Sequence, residues 1–178
     1  ISYFKGSESD VLKRYCDAAF FFKAKIIVRI NADCPLIDPI VVDKVISAFV
    51  SSQPEIDYAS NILEETFPTG MHVEVFSLAA IEKASEKSNK LDEREHVTPY
   101  IYRNPSLFKL LSITNSRDLS MYRWTVDYEE DLEFISQIIE KKIKNNIGES
   151  MNQIVDFLED NTKFLDINSM HTKKQSLK

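Results

Sequence analysis

Glycine is scarce in this sequence. Only three glycines occur in 178 residues, Gly6, Gly70 and Gly148, and they lie far apart. A glycine-rich phosphate-binding loop needs several glycines within one short turn, so that backbone N–H groups can approach the phosphates. No loop of that kind can be drawn from these three positions. A phosphate-bearing ligand would have to be held by other means.

Cysteine is also scarce, since Cys16 and Cys34 are the only two. They are too far apart for a zinc knuckle, and no two of the three histidines have the spacing of metal ligands. Cys34 directly follows an aspartate, whose charge raises the pKa of a thiol, so it is a poor candidate nucleophile. We find no signal peptide and no long apolar segment, which favours a reduced, cytoplasmic compartment and argues against a membrane span.

The balance of charge is negative, with a formal net charge of -6 at pH 7. This charge argues against nucleic acid as the main partner, because a phosphate backbone would be repelled. Small ligands are favoured, and any phosphates they carry need local cations or a metal to offset the repulsion. The sequence leaves a homodimer open as an assembly state.

Apolar runs of strand length alternate with helical periodicity along the chain. This alternation indicates an α/β layer fold with a mainly parallel sheet. The length favours one domain over residues 1–165, followed by a frayed tail over 166–178. The predicted strands are "ISYF", "KIIVRI", "IDYAS", "MHVEVF", "LFKLLSIT" and "YRWTV". The predicted helices are "VLKRYCDAAFFF", "DPIVVDKVISAFV", "SLAAIEKASEKS", "DEREHVTPYIYRN", "DYEEDLEFISQIIEKKI" and "ESMNQIVDFLEDN".

Two predicted strands end on an aspartate, "IIVRINAD" on Asp33 and "YRWTVD" on Asp127. Ligands of open parallel sheets bind at the carboxyl ends of the strands. If the two strands are close in the sheet, the carboxylates meet at one edge, where hard oxygen ligands suit Mg²⁺. The alternative is that each aspartate caps the following helix. For Asp127 that role is well supported, because "DYEEDL" crowds acids at a helix start.

Two further stretches carry candidate binding residues. In "PTGMHVEVF", Gly70 favours an unusual backbone shape or a close ligand approach. His72 and Glu74 are two apart on a predicted strand, so they share a face and serve either as substrate contacts or as a structural pair. In "DEREHVTPY", Glu95 and His96 lie near a predicted helix start, and His96 is a weaker candidate for a general base.

Seven segments together carry a family resemblance: "FKGSESDVLKRYCDAA", "IIVRINADCPLIDP", "DYASN", "FPTGMHVEVF", "EREHVTPYI", "RWTVDYEEDLEFI" and "LDINS". They occur in family order and resemble the cytidylyltransferases that activate acylneuraminates and 3-deoxy-sugar acids, above all the spore-coat polysaccharide, SpsF-like branch. The resemblance implies a nucleotide-diphospho-sugar transferase-like, Rossmann-like three-layer fold. It implies the reaction of CTP with a sugar acid or related sugar to give a CMP-sugar and pyrophosphate, for surface or spore-coat polysaccharide.

The same resemblance assigns roles to residues. It implies that Asp33 and Asp127 are the catalytic acids and the Mg²⁺ ligands. Asn31 would face the nucleotide, and Arg29, two residues back on the same strand face, could share that surface. The sugar side of the pocket would be formed by Asn61, Gly70, His72, Glu74, Glu95 and His96.

The departure from the family lies at the front of the chain. The family opens with a strand and a G-x-x-x-R-x-x-x-K loop that wraps the CTP phosphates, whereas "ISYFKGSESDVL" resembles a point well inside the family sequence. We therefore expect an N-terminally truncated domain, and we expect residues 1–178 alone to be inactive. A non-catalytic remnant acting in assembly or binding remains an alternative, as does a related transferase that uses another nucleotide or an alditol phosphate. Sialic, legionaminic, pseudaminic and spore-coat sugars are all compatible.

Overall fold

The structure, a computed structural model, describes residues 1–145, 147–148 and 150–172. The chain forms two compact units. The first contains Ile1–Arg29, Val45–Leu63 and Glu74–Ile113, and the second contains Ile30–Lys44, Glu64–Val73 and Thr114–Lys178. Each unit is made of three separate segments, so no single position in the sequence divides them. The sequence pattern predicted one domain over 1–165.

The first unit contains a four-stranded sheet in the order β1-β3-β2-β4. Its strands are β1 (Ile26–Arg29), β2 (Tyr58–Ser60), β3 (Glu74–Ser77) and β4 (Leu110–Ser112). The α/β fold class is confirmed, but the sheet is not mainly parallel. β3 is antiparallel to both of its neighbours, and only β2 and β4 pair in parallel. The connection from β2 to β3, residues 61–73, contains no helix, whereas the crossover between parallel neighbours is usually helical.

Seven α-helices are present in the described part of the chain: α1 (Val11–Phe22), α2 (Pro39–Ser51), α3 (Leu78–Lys87), α4 (Leu91–His96), α5 (Pro99–Tyr102), α6 (Glu129–Asn145) and α7 (Met151–Asp160). The predicted helix "DEREHVTPYIYRN" is two helices, α4 and α5, because Val97 adopts φ 75 and Pro99 starts a new helix. None of the described helices is long and apolar enough to span a membrane.

The core of the first unit lies between the helices and one face of the sheet. Its buried members include Tyr58 and Phe76, whose rings stack with centroids 6.4 Å apart. The other buried residues of this cluster are Leu12, Cys16, Ala80, Ile81, Ala84, Val97, Ile101 and Phe108. Burial of large side chains such as Tyr58 contributes roughly 1.5–3 kcal/mol each to folding. The second unit has its own buried apolar residues, among them Leu36, Met71, Trp124, Phe134 and Ile138.

Three strand predictions need correction. "ISYF" is not a strand in the structure, and "YRWTV" contributes only an isolated bridge from Arg123 to Thr69. The strand predicted in "MHVEVF" begins only at Glu74. Strand assignment depends on a partner in the ladder, and apolar alternation alone does not supply that partner.

The tail predicted to be frayed, residues 166–178, is packed against the rest of the second unit over residues 166–172. Asn168 is buried, and its side-chain amide donates to the backbone carbonyl of Arg123 at 3.0 Å and to Asp131 Oδ1 at 2.9 Å. The ring of His171 stacks on Tyr128 with centroids 3.9 Å apart. These contacts hold the segment to the second unit. Residues 173–178 of the predicted tail lie outside the described residues.

Candidate functional site

Asp33 lies in the turn that follows β1, four residues beyond the last strand residue. Its backbone carbonyl accepts hydrogen bonds from the Val126 N–H at 2.9 Å and from Thr125 Oγ1 at 3.3 Å. Its side chain is exposed. These backbone contacts fix the turn beside residues 125–126 of the second unit, immediately before Asp127. The two predicted acids are therefore on adjacent segments, although neither lies at the end of a strand.

Asp127 forms an ion pair with a largely buried arginine. Arg123 Nη2 donates to Asp127 Oδ2 at 2.6 Å, and the Asp127 side chain remains 47% exposed. Asp131, in the first turn of α6, accepts at Oδ2 from the N–H groups of Asp127 at 3.1 Å and Tyr128 at 3.2 Å, which precede the helix. The role of Asp127 as a helix cap stays a prediction, since among the described residues the donor to its carboxylate is Arg123. Its carboxylate is available for another role.

Asp131 is a charged group held inside the second unit, with 0% of its side chain exposed. Burial raises the pKa of this carboxyl, but hydrogen bonds from Arg123, Asn168 and the Asp127 N–H outweigh that effect. The resulting pKa is about 2. Asp131 is thus ionised at neutral pH and has its oxygens occupied by donors.

Asp38, the second acid of the Asp33 turn, has a structural role. Its Oδ1 accepts from the Ile40 N–H at 2.7 Å at the start of α2. Its Oδ2 accepts from the Met151 N–H at 2.7 Å. Asp38 therefore serves two helix starts, whereas Asp33 serves none.

Cys34 is buried next to Asp33 and donates a weak hydrogen bond to Asp33 Oδ1 at 3.3 Å. Burial, followed by the hydrogen bond and charge of Asp33, raises the pKa of this thiol to about 12. The thiolate is essentially absent at neutral pH. The prediction that Cys34 is not a nucleophile agrees with this environment.

The donor set around Asp33 and Asp127 fits Mg²⁺. Among the residues that the structure describes, no group of three or more His, Cys, Asp or Glu side chains is arranged to hold a metal. Mg²⁺ does not require such a group, because it commonly takes one or two carboxylates and completes its octahedron with water and substrate phosphates. Two exposed carboxylates on hydrogen-bonded segments meet that description.

The first unit contains a different cluster, centred on Glu74. This buried carboxylate accepts hydrogen bonds from Arg29 Nη1, from the Tyr58 hydroxyl at 2.7 Å and from Thr98 Oγ1. Burial, together with the charge of Glu74, raises the pKa of Tyr58 well above its usual range. The sequence predicted Arg29 and Glu74 as binding residues but missed Tyr58 and Thr98, which only the pairing of distant segments reveals.

Two predictions of shared strand faces need correction. β1 ends at Arg29, so the alternation that placed Asn31 on the same face does not extend to it. β3 begins at Glu74, so His72 precedes the strand and the same objection applies. Asn31 and His72 are each half-buried, and Asn61 is buried. Their predicted roles as substrate contacts stay predictions.

Gly70 has a backbone reason to be glycine. Its φ is 101°, in the region that disfavours side chains. A Cβ at this position would lie 2.6 Å from the backbone C and O atoms of Trp124. The close approach predicted for this glycine is thus satisfied by the chain itself.

Glu95 and His96 are exposed at the end of α4. The two residues that precede them in α4, Glu93 and Arg94, have side-chain contacts within the first unit. Arg94 donates through Nε to Asp10 Oδ1 at 3.0 Å, and the buried Glu93 accepts from Ser88 Oγ at 2.9 Å. Neither Arg94 nor Glu93 was among the candidate residues of the sequence pattern.

The chain is similar to a known protein family and to two curated proteins. Residues 1–163 match the family described as "Cytidylyltransferase". The chain is 34% identical over 171 residues to an uncharacterized protein of Methanocaldococcus jannaschii, covering 95% of this chain and 68% of that protein. It is 28% identical over 144 residues to the spore coat polysaccharide biosynthesis protein SpsF of Bacillus subtilis, covering 78% of this chain and 57% of SpsF.

A solved structure agrees with these matches. It is a cytidylyltransferase from Leptospira borgpetersenii, with a TM-score of 0.86 and 33% sequence identity. The match covers 99% of this chain and 71% of that one.

Proposed function

Because the chain belongs to the cytidylyltransferase family, we propose that its protein transfers the cytidylyl group of CTP to a sugar acid or a related sugar and releases pyrophosphate. The similarity to SpsF supports a role of the CMP-sugar in surface or spore-coat polysaccharide synthesis. The observation that carries the proposal is the placement of Asp33 and Asp127 as exposed acids on segments joined by the Val126–Asp33 backbone hydrogen bond.

The reaction requires that the negative charge on the three phosphates of CTP be stabilised. A sugar hydroxyl attacks the α-phosphorus in line, the new P–O bond forms, and the bond from the α-phosphorus to the bridging oxygen of the β-phosphate breaks. The hydroxyl loses its proton, and pyrophosphate leaves with the electron pair of the broken bond. Transfers of this type depend mainly on positioning and electrostatic stabilisation.

The residues that would hold a metal are Asp33 and Asp127. Mg²⁺ bound there would neutralise charge on the phosphates. The chain's own contribution is to present two carboxylates at fixed places, since a backbone hydrogen bond holds Asp33 and the Arg123 guanidinium holds Asp127. Asp131 and Asp38 are less suited to this role because hydrogen-bond donors occupy both oxygens of each, backbone N–H groups in Asp38 and both side-chain and backbone groups in Asp131.

The first unit has a candidate ligand-binding cation of its own, Arg29. Its partner Glu74 is buried, and the Arg29 side chain is 18% exposed. Glu74 is therefore better suited to anchoring Arg29 than to meeting a sugar directly. A guanidinium held in this way can donate to a phosphate or carboxylate with its remaining N–H groups.

The test is an assay of the complete gene product for pyrophosphate release. CTP is compared with ATP, GTP and UTP, each with a panel of nonulosonic acids, in the presence of Mg²⁺ and then of a chelator. We expect release that requires CTP, one class of sugar acid and the metal. Equal release from every nucleotide, or release that persists in the chelator, would contradict the proposal.

A further inference from the structure

Arg123 joins an exposed carboxylate to a buried one. Its Nη2 donates to Asp127 Oδ2 at 2.6 Å and to Asp131 Oδ2 at 2.7 Å, and its Nε donates to Asp131 Oδ1 at 2.9 Å. Only 13% of the Arg123 side chain is exposed. The guanidinium therefore lies between the interior of the second unit and the acid proposed to bind metal.

Asp131 is the fixed end of this arrangement. Besides the two hydrogen bonds from Arg123, it accepts from the side-chain amide of Asn168 at 2.9 Å and from the N–H groups of Asp127 and Tyr128. Five N–H donors fill the acceptor positions of both Asp131 oxygens, so the carboxylate has little capacity left to bind a metal. The same hydrogen bonds fix the orientation of the side chain. Asn168 also donates to the Arg123 backbone carbonyl, so the segment after α7 braces both charged partners.

Asp127 is consequently held at two points. Its N–H is bound to Asp131 Oδ2, and its own Oδ2 is bound to Arg123. Among the described residues no hydrogen bond reaches its Oδ1, and the side chain is about half exposed. One oxygen thus fixes the carboxylate plane, while the other is left for a ligand.

We propose that Arg123 is the positioning residue for Asp127, with Asp131 and Asn168 holding Arg123 in turn. This inference rests on the proposed function, because it assumes that Asp127 binds the metal of the cytidylyltransferase site. Partners that orient a metal ligand from behind typically change metal affinity or activity by about 10- to 100-fold when they are mutated. The planar fork of arginine is needed here, since lysine cannot donate to both carboxylates in the same geometry.

A purely structural role makes a different prediction. If the Arg123 pairs only stabilise the start of α6, then loss of the fork lowers the melting temperature and leaves metal binding per folded molecule unchanged. A positioning role changes metal binding even in molecules that are fully folded. Metal binding is therefore the quantity to measure.

The experiment compares Arg123→Lys with Arg117→Lys in the complete gene product. Arg117 also belongs to the second unit and pairs with a carboxylate, Glu159, but both of those side chains are largely exposed. Mn²⁺ binding is followed by electron paramagnetic resonance in the presence of CTP, and the Mg²⁺ concentration for half-maximal turnover is measured in parallel. For Arg123→Lys we expect the Kd for Mn²⁺ and the Mg²⁺ concentration for half-maximal turnover each to rise about 10- to 100-fold. For Arg117→Lys we expect both to stay at the wild-type value. Wild-type constants in folded Arg123→Lys would overturn the inference.

A double-mutant cycle tests whether Arg123 acts through Asp127. In the Asp127→Asn background, Arg123→Lys should add little further loss of Mn²⁺ binding, because the group that it positions is already gone. Additive losses would show that Arg123 acts elsewhere and would contradict the inference. If Arg123→Lys does not fold, Asn168→Ala replaces it, since that change leaves the guanidinium but removes the amide that donates to Asp131 and to the Arg123 backbone carbonyl. Several-fold weaker Mn²⁺ binding then supports the inference, and wild-type binding overturns it.

Failure of the proposed function has its own signature. If Asp33→Asn and Asp127→Asn each retain wild-type Mn²⁺ binding and turnover, the metal assignment itself is wrong. If these two variants lose both while Arg123→Lys keeps both, only the positioning role is wrong.

Discussion

The two units each contain an arginine paired with a carboxylate, but the more exposed partner is the arginine in the first unit and the carboxylate in the second. In the first unit Glu74 is the buried partner, with 2% of its side chain exposed, and Arg29 is the more exposed one at 18%. In the second unit Arg123 is the less exposed partner at 13%, and Asp127 is the more exposed one at 47%. The charge of the more exposed partner determines which kind of ligand the pair can bind. A cation suits a phosphate or carboxylate, and an anion suits a metal.

In each pair we therefore expect the less exposed partner to matter more for stability and the more exposed partner to matter more for ligand binding. Removing the charge of a buried partner leaves the opposite charge without compensation and destabilises the fold. Removing the charge of an exposed partner costs little stability, because solvent already screens it. Amide substitutions at the two kinds of site should therefore fail in different assays.

The largest expected effect is on turnover, from Asp33→Asn. Asparagine keeps the size of the side chain and loses the anionic ligand, so we expect turnover to fall by at least about 100-fold, which exceeds the loss typical of an outer partner. Stability should change by less than about 0.5 kcal/mol, because the side chain is exposed. Steady-state kinetics and denaturant unfolding measure the two quantities.

The control for that variant is Asp43→Asn, which changes an exposed aspartate of α2 in the same unit. It should match the wild type in both assays. Normal turnover per folded molecule in Asp33→Asn, together with a large loss of stability, would make Asp33 a structural residue.

The next largest effect is the opposite one, from Glu74→Gln. The amide keeps the shape but removes the charge that pairs with Arg29. Its oxygen can still accept from the Tyr58 hydroxyl and Thr98 Oγ1, but its NH₂ group then takes the place of Oε2 and faces the Arg29 donor. We expect a loss of about 2 kcal/mol in the free energy of unfolding, measured with urea. A variant as stable as the wild type would show that burial of Glu74 is not what holds this cluster.

A smaller effect concerns the pair of Asp10 and Arg94, which joins the start of α1 to the last turn of α4 in the first unit. Burial raises the pKa of Asp10, but hydrogen bonds from Arg94 and the Lys13 N–H outweigh it and hold the pKa below 3.8. A lowered pKa adds stability above pH 3.8, and that stability is lost as the pH falls through the folded-state value. Asp10→Asn should therefore cost about 1 kcal/mol at pH 7 and almost nothing at the acid end.

Urea unfolding of Asp10→Asn and the wild type across this pH range tests the sign. A difference between the two proteins that grew toward acid pH would contradict the assignment of the pair.

The smallest effect on stability is expected at Glu95 and His96. Both side chains are exposed, so Glu95→Gln and His96→Gln should change the free energy of unfolding by less than about 0.5 kcal/mol. The predicted role on the sugar side requires KM for the sugar to rise several-fold in each variant. If KM and kcat both stay at the wild-type values, these residues do not contact the substrate.

Local patterns predicted the helices well. Periodicity and caps were sufficient for α1, α2, α3, α6 and α7, because a helix is specified by residues three and four apart. The sheet was harder, since its pairings join segments that are distant in sequence. β3 pairs with β1 across more than forty residues of chain, for example Val28 with Val75, and nothing local indicates that the pairing is antiparallel.

The site was predicted in part for the same reason. Asp33 and Asp127 were selected by their position after apolar runs and by the family resemblance, but the assumed meeting at a strand edge was wrong. Asp131 and Asn168 were missed because a buried polar network is visible only once its partners are assembled. A weak sequence pattern did exist, since Arg123 and Asp131 each lie four residues from Asp127.

The measurement that tests the account most directly is Mn²⁺ binding by Asp127→Asn in the presence of CTP, with Asp43→Asn as the matched control. Asp127 is the exposed member of its pair, so we expect its loss to weaken Mn²⁺ binding by at least about 10-fold. The melting temperature should stay within a few degrees of the wild type, and Asp43→Asn should bind Mn²⁺ normally. Unchanged Mn²⁺ binding in folded Asp127→Asn would contradict the claim that the outward-facing carboxylate is the metal ligand.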